Sequence, residues 1–127
     1  MANPNIVDVS TILANNSFFL VSSTADPFTT ALVNNPASSG KVYKVNTLIA
    51  TNVDTANSRV VTIKFFPQDD LGGTGRQIIS NVSIPANSSL VVIEKNTSLY
   101  LTEDESLGVT AGTANTIVVT TSWEEIS

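Results

Sequence analysis

Short apolar runs separated by turn residues form the main pattern along this chain. Ile78–Ile84 alternates between apolar and polar positions, and two further short runs follow at Leu90–Ile93 and Leu99–Leu101. The segments between them, 85–88 and 95–97, hold Pro, Asn and Ser residues, which favour tight turns. Each run is too short for a helix of several turns, so the pattern predicts a meander of β-strands.

The longest predicted strand is Lys41–Val53, and Arg59–Phe66 is predicted to pair back on it across a hairpin loop at 54–58. Alternation places on one face of the first strand Tyr43, Val45, Thr47, Ile49, Thr51 and Val53. In the second strand it places Val61, Ile63 and Phe65 on one face and Phe66 on the other. Both strands are apolar on two faces, which is typical of strands central to a sandwich or packed against another subunit.

Further strands are predicted at 17–23, 29–33 and 116–126, with Trp123 on the face of Ile117, Val119 and Thr121. Turn residues predict a turn at Asn15-Asn16, loops at 34–40 and 67–75, and a last turn at 112–115. No segment sustains helical periodicity. A count of roughly eight to ten short strands is compatible with a sandwich, a jelly roll or a Greek key. We predict an all-β, antiparallel β-sandwich of jelly-roll kind.

One domain suits the length of 127 residues. The partly alternating segment Ile6–Leu13 predicts an ordered N-terminal arm or first strand. We therefore divide the chain into an arm or first strand at 1–16 and a single β-sandwich domain at 17–127.

The amino-acid composition limits the classes of function that the chain can have. The net charge is −5 and only 13% of residues are charged, so binding to nucleic acid is not expected. The chain has no Cys and no His, which excludes disulfides and thiolate zinc sites and removes the commonest general base. No apolar run approaches the ~20 residues of a membrane span. These features predict a protein that is not an enzyme and does not enter a membrane.

Acidic residues cluster at Asp69-Asp70 and at Glu103-Asp104-Glu105. Such oxygens suit calcium, but the spacing of an EF-hand is absent, so solvated loops are the favoured interpretation. Nothing in the sequence brings the two clusters together. The glycines at 72–75 lack the Lys-Ser/Thr pair of a phosphate loop and predict a turn. We expect no metal, no cofactor and no catalytic residue.

Aromatic residues are the candidates for contacts with other molecules. Trp123 and Tyr100 suit either core packing or stacking on a sugar, and core packing is favoured. Phe18-Phe19 and Phe65-Phe66 put adjacent rings on opposite faces of a strand, so one ring of each pair needs a second cover. The predicted subunit or particle contacts are Ile6, Val7, Val9, Ile12, Leu13, Phe18, Phe19, Phe65 and Phe66.

Five short sequence motifs within Gly40–Ser127 resemble those of a known group of proteins. They are Gly-Lys-Val-Tyr-Lys at 40–44, Asn-Val-Asp at 52–54, Pro-Ala-Asn-Ser-Ser-Leu at 85–90, Tyr-Leu-Thr-Glu-Asp-Glu-Ser-Leu at 100–107 and Ser-Trp-Glu-Glu-Ile at 122–126. The chain resembles small structural proteins of tailed phages, in particular marine and cyanobacterial ones. That group often has Glu-Gly-Asp where this chain has Glu-Asp-Glu at 103–105.

The resemblance implies a virion component, made in the host cytoplasm, and leaves head decoration, neck or collar fibre, and tail piece open. Our leading hypothesis is a non-enzymatic capsid decoration (cement) protein that forms a homo-oligomer, a trimer, through apolar side chains. Its other expected partner is the major capsid protein or the head-tail connector. The alternatives are a neck, collar or tail-fibre component and a carbohydrate-binding or receptor-binding tail module.

Overall fold

Nine strands account for the architecture of the described residues. The computed structural model describes residues 9–24 and 31–127. The strands are β1 (Ile12–Leu20), β2 (Ala31–Asn35), β3 (Val42–Asn52), β4 (Arg59–Phe66), β5 (Arg76–Ile84), β6 (Ser89–Ile93), β7 (Leu99–Leu101), β8 (Glu105–Ala111) and β9 (Ile117–Ile126). Two short 3₁₀ turns lie at Asp69–Leu71 and Lys95–Thr97, and the described ranges hold no α-helix.

The strands form two antiparallel sheets. Sheet 1 has the order β1-β9-β3-β6, with β7 pairing the other end of β3, and sheet 2 has the order β2-β8-β4-β5. The pairs are nested along the chain, since β1 pairs with β9, β2 with β8, β3 with β6 and β4 with β5. A nested antiparallel ribbon divided between two packed sheets is a jelly roll, which confirms the predicted fold class.

One apolar core lies between the two sheets because each strand turns alternate side chains inward. The largest fully buried side chains are Leu48, Ile63, Ile84, Leu101, Leu107, Ile117, Val21, Val33, Val45, Val61, Val109 and Val119. The predicted faces of β4 and β9 are confirmed, since Val61 and Ile63 are buried together and Trp123 packs against the core.

A β-bulge in β3 changes which of its side chains face the core. The register between β3 and β9 shifts between Val45 and Thr47. Val45 is buried before the bulge, while Leu48 and Ala50 are buried after it. The predicted face that joined Val45 to Ile49 is therefore wrong, because one extra residue moves every later side chain to the opposite face.

The predicted turn at Asn15-Asn16 is also wrong. Strand β1 runs without interruption through both residues and pairs with β9 from Ile12 to Leu20. The Asn15 side chain donates a hydrogen bond from Nδ2 to Oε2 of Glu125 at 2.6 Å. Pairing over the whole strand outweighs the local turn preference of the two asparagines. Any arm before the sheet thus ends before Ile12, and the organisation as a single domain stays a prediction.

Two buried asparagines join the sheets at opposite corners. Asn52 of sheet 1 donates from Nδ2 to Ile84 O of sheet 2 and to Asn57 O, both at 2.9 Å. Its Oδ1 accepts from the backbone N–H of Asp54 at 2.9 Å. Asn35 of sheet 2 donates from Nδ2 to Leu101 O of sheet 1 at 3.1 Å. Both side chains are fully buried and hydrogen-bonded, as buried amides must be.

The hairpin loop between β3 and β4 is organised by one carboxylate. Asp54 Oδ1 accepts from the N–H groups of Ala56 and Asn57, and Oδ2 accepts two hydrogen bonds from the Arg59 guanidinium. The N–H of Ala56, followed by Arg59 and the N–H of Asn57, lowers the pKa of Asp54 to about 2. The loop is therefore stabilised by the ionised carboxylate.

The loop after β4 folds over the outer side of sheet 2. Ser106 Oγ donates to Gln68 O at 2.8 Å and accepts from Leu71 N at 3.0 Å. Phe66 is only 7% exposed, and a Cβ built on Gly75 would lie 2.6 Å from Cε2 of its ring. This loop covers Phe66 within the chain itself.

Candidate assembly surface

The outward side of sheet 1 carries a group of exposed apolar side chains at one end of the sheet. The outer apolar patch consists of Phe18, Leu20, Ile49, Val91 and Val118. Phe18 is 74% exposed, Val91 55% and Leu20 45%. Ile49 and Val118 are half-buried. A monomeric protein rarely leaves so many neighbouring apolar side chains in water without a role in binding.

Strand register makes the patch continuous across sheet 1. One row crosses four strands through Phe18, Thr120, Ile49 and Val91, and the next row holds Leu20, Val118 and Thr51. These residues lie on the side opposite the core because their neighbours along each strand, such as Val119 and Ala50, are buried. The β3 bulge contributes directly, since it turns Ile49 outward.

Polar groups border the patch on the same outward side. Thr51 Oγ1 and Ser89 Oγ lie 2.9 Å apart in a hydrogen bond at one end. Toward the middle of the sheet, Asn46 Nδ2 donates to Glu124 Oε1 at 3.2 Å. An apolar patch with a polar border has the arrangement of a protein interface, with its apolar centre and hydrated rim.

The predicted contact residues differ widely in their exposure to solvent. Ile6 and Val7 lie outside the described residues, and Val9 is half-buried. The exposed group is Ile12, Leu13 and Phe18. Phe19 and Phe65 are partly buried against the core, and Phe66 is buried under the 67–75 loop. Of the four paired phenylalanines, only Phe18 leaves most of its ring in water.

Sequence reasoning missed four members of the patch, namely Leu20, Ile49, Val91 and Val118. Val91 and Val118 lie on strands whose alternation was readable, since each stands between residues that face the core side. Ile49 was assigned to the wrong face because the bulge leaves no clear mark in the sequence. Leu20 was read as part of a general apolar run rather than as the outward member of an alternating strand.

The two acidic clusters lie side by side, contrary to the expectation that nothing brings them together. Asp104 Oδ1 accepts from the N–H of Asp69 at 3.0 Å, and Asp69 Oδ2 accepts from the N–H of Ala37 at 3.0 Å. Glu103 Oε2 accepts from the N–H of Gly40 at 2.6 Å. The carboxylates thus hold loop backbones together. Within the two described ranges, no group of three or more His, Cys, Asp or Glu side chains could hold a metal ion.

Trp123 is confirmed as a core residue, while Tyr100 is not. The Trp123 ring packs against the core and stacks on Tyr43, with centroids 6.2 Å apart and an interplanar angle of 22°. Tyr100 is exposed on the outward side of β7, opposite Lys44. The two aromatics therefore do not form a joint platform for a sugar ring.

Glu125 lies beside this aromatic pair. Its burial opposes ionisation, but hydrogen bonds from Lys41, Asn15 and Trp123 outweigh that effect and lower the pKa of Glu125. Burial, followed by the charge of Glu125, raises the pKa of Tyr43. The ion pair between Lys41 Nζ and Glu125 Oε1, at 3.1 Å, ties the start of β3 to the end of β9. These groups stabilise an edge of the sandwich.

Comparisons with known proteins give little family information. No family model matches the chain, and no curated protein matches it. Among solved structures, a chain in a structure of the infectious bursal disease virus Gx strain matches with 8% sequence identity and a TM-score of 0.37. The match covers 93% of this chain and 42% of that one. At this TM-score it carries no argument, so function is inferred from the surface. Among the described residues, no helix is long and apolar enough to cross a membrane.

Proposed function

We propose that this protein is a non-enzymatic structural component of a virus particle, of the capsid decoration type, which acts by burying its outer apolar patch. The observation that carries the proposal is the exposure of Phe18, Val91 and Leu20 on one continuous side of sheet 1. The resemblance of residues 40–127 to tailed-phage structural proteins supports the particle as the place of assembly. The jelly roll also occurs in lectins and cupins, so the fold alone does not select this function.

Burial of the patch supplies enough free energy to matter. Removing a Phe, Leu or Val side chain from water contributes roughly 1.5–3 kcal/mol when burial is complete. The three exposed members of the patch are therefore worth several kcal/mol against a matching surface. The surface that receives them is either a neighbouring copy or the capsid shell.

The outward side of sheet 1 is also the side where copies of an acidic chain can approach. The net charge of −5 makes contact between most surfaces of two copies unfavourable. All five patch residues are uncharged, and the polar groups next to them, Thr120 within the row and the Thr51–Ser89 pair at its border, are neutral. An uncharged apolar centre avoids the cost of desolvating carboxylates in the contact.

The proposal is tested by replacing Val91 with Lys in the full chain. Val91→Lys places a charge at the β6 end of the patch and leaves the core unchanged, so binding to purified particles of the encoding virus should fall at least tenfold. The matched control is Ser83→Lys, which puts the same charge on an exposed position of β5 in sheet 2. Co-sedimentation with particles that lack the protein measures binding. Equal binding by both variants and the wild type would refute the role of the patch.

A further inference from the structure

Strand β1 lies at one border of sheet 1, and no strand of the described ranges 9–24 and 31–127 pairs with its outer edge. Thr11 exchanges two backbone hydrogen bonds with Ser127, and the N–H of Val21 donates to Ile117 O, so odd-numbered residues of this segment point toward β9. In an antiparallel ladder the intervening residues point the other way. The outward N–H and C=O groups therefore belong to Ile12, Ala14, Asn16, Phe18 and Leu20. In the part of the chain that the structure describes, β9 is the only strand that pairs with β1.

The edge of β1 lacks the features by which proteins normally prevent strands from pairing across an edge. Its nine residues contain no charge, no Pro and no bulge, and its register with β9 is continuous. The other outer strands differ. Pairing along β5 is interrupted by two register shifts, and β2 and β6 are five residues long with one shift each. Bulges and short lengths protect those edges, whereas β1 is long, regular and uncharged.

We propose that β1 pairs antiparallel with β1 of a second copy, about a two-fold axis that passes beside Asn16. This inference develops the homo-oligomer expected from the sequence, and it names the strand and the symmetry of the contact. Charge favours a second copy as the occupant, because the described residues 9–24 carry no charge in a chain whose net charge is −5. Asn16 is the midpoint of β1, so this register pairs the whole strand with its own copy.

The register also matches side chains. A two-fold axis perpendicular to the sheet places the outward sides of sheet 1 from both copies on the same side of the joined sheet. Ile12 then lies opposite Leu20 of the second copy, and Ala14 lies opposite Phe18, so a small side chain faces a large one. The patches of the two copies come onto one side of a continuous sheet. This two-fold contact alone produces a closed dimer, whereas the sequence predicted a trimer. A two-fold and a three-fold contact can both occur in a larger closed assembly.

Single cysteines test the pairing directly, because the natural chain has none. Hydrogen-bonded residues that face each other in an antiparallel pair have Cα atoms about 5.5 Å apart, which lies inside the range that a disulfide spans. Oxidised Asn16→Cys should therefore form a covalent dimer. Ser83→Cys, on an exposed position of the β5 edge, is the control and should remain monomeric on denaturing gels.

The register is tested by mixing two variants. Ala14→Cys and Phe18→Cys should cross-link to each other at least tenfold more than either does alone. Asn16→Pro should abolish dimers in sedimentation while the monomer stays folded, because it removes only an outward N–H. A wild-type chain that stays monomeric at about 100 μM, or an Asn16→Cys chain that cross-links no more than the Ser83→Cys control, would overturn the inference.

The two experiments distinguish a failure of the β1 pairing from a failure of the proposed role of the outer apolar patch. Val91 lies on β6, three strands away from the β1 edge. If Val91→Lys loses particle binding while Asn16→Cys does not cross-link, the patch proposal stands and the edge inference fails. If Asn16→Cys cross-links while Val91→Lys still binds particles, the edge inference stands and the patch proposal fails.

Discussion

Replacing Asn52 with Ala tests how the two sheets are joined. The side chain is fully buried and makes three hydrogen bonds, to Ile84 O, Asn57 O and the N–H of Asp54. Alanine removes all three and leaves two carbonyls and one N–H without their partner. A hydrogen bond contributes about 0.5–1.5 kcal/mol net, and an unsatisfied buried group costs about 1–3 kcal/mol. We expect the free energy of unfolding to fall by about 2–4 kcal/mol.

Urea unfolding, followed by tryptophan fluorescence, measures this loss. Trp123 packs against the core and reports its exposure to water. The matched control is Asn57→Ala, which removes an exposed amide from the same loop but keeps the backbone carbonyl that accepts from Asn52. The control should change the free energy of unfolding by less than about 0.5 kcal/mol. A loss below about 1 kcal/mol for Asn52→Ala, with an unchanged urea slope, would refute the argument that this corner joins the sheets.

Two further changes probe the loops. The pKa of Asp54 is about 2 in the folded chain, below its ordinary value of 3.8. The ionised carboxylate therefore stabilises the folded chain fully at pH values above 3.8, and this stabilisation is lost as the pH falls through about 2. The melting temperature of the wild type should exceed that of Asp54→Asn at pH 6, and the gap should close toward pH 2; a constant gap would contradict this. Gly75→Ala should cost about 1–3 kcal/mol by thermal unfolding, because its Cβ would clash with the Phe66 ring. An unchanged melting temperature would show that the loop moves freely.

The jelly roll was predictable because most strands are short, apolar and bounded by turn residues. The strands Leu99–Leu101 and Arg59–Phe66 match the predicted limits, and 112–115 is the predicted turn before β9. The missed features are those where tertiary contacts outweigh local preference. Asn15-Asn16 has the composition of a turn, yet pairing with β9 keeps both residues in a strand.

The candidate surface was predictable only in part. Alternation predicted that one ring of the Phe18-Phe19 pair would leave the core but did not identify which one, and both were named as contact candidates. In the structure Phe18 is 74% exposed, while Phe19 packs against the core. Phe66 has the second cover that the same reasoning requires, but a loop of the same chain supplies it. The outward position of Ile49 depends on the β-bulge at Asn46. A bulge adds a single residue to a strand and has no characteristic amino-acid composition, so the sequence did not reveal it. The meeting of the two acidic clusters depends on long-range strand pairing.

The proposal that this chain is a virion protein is tested most directly by electron cryo-microscopy of the purified virus particles to which the proposal assigns it. We expect multiple copies of the jelly roll on the particle, with Phe18 and Val91 buried against a neighbouring copy or the capsid shell. Localisation to the neck or tail would keep the protein in the virion but contradict the decoration role. Particles without this chain, or copies whose outer apolar patch faces solvent, would contradict the account altogether.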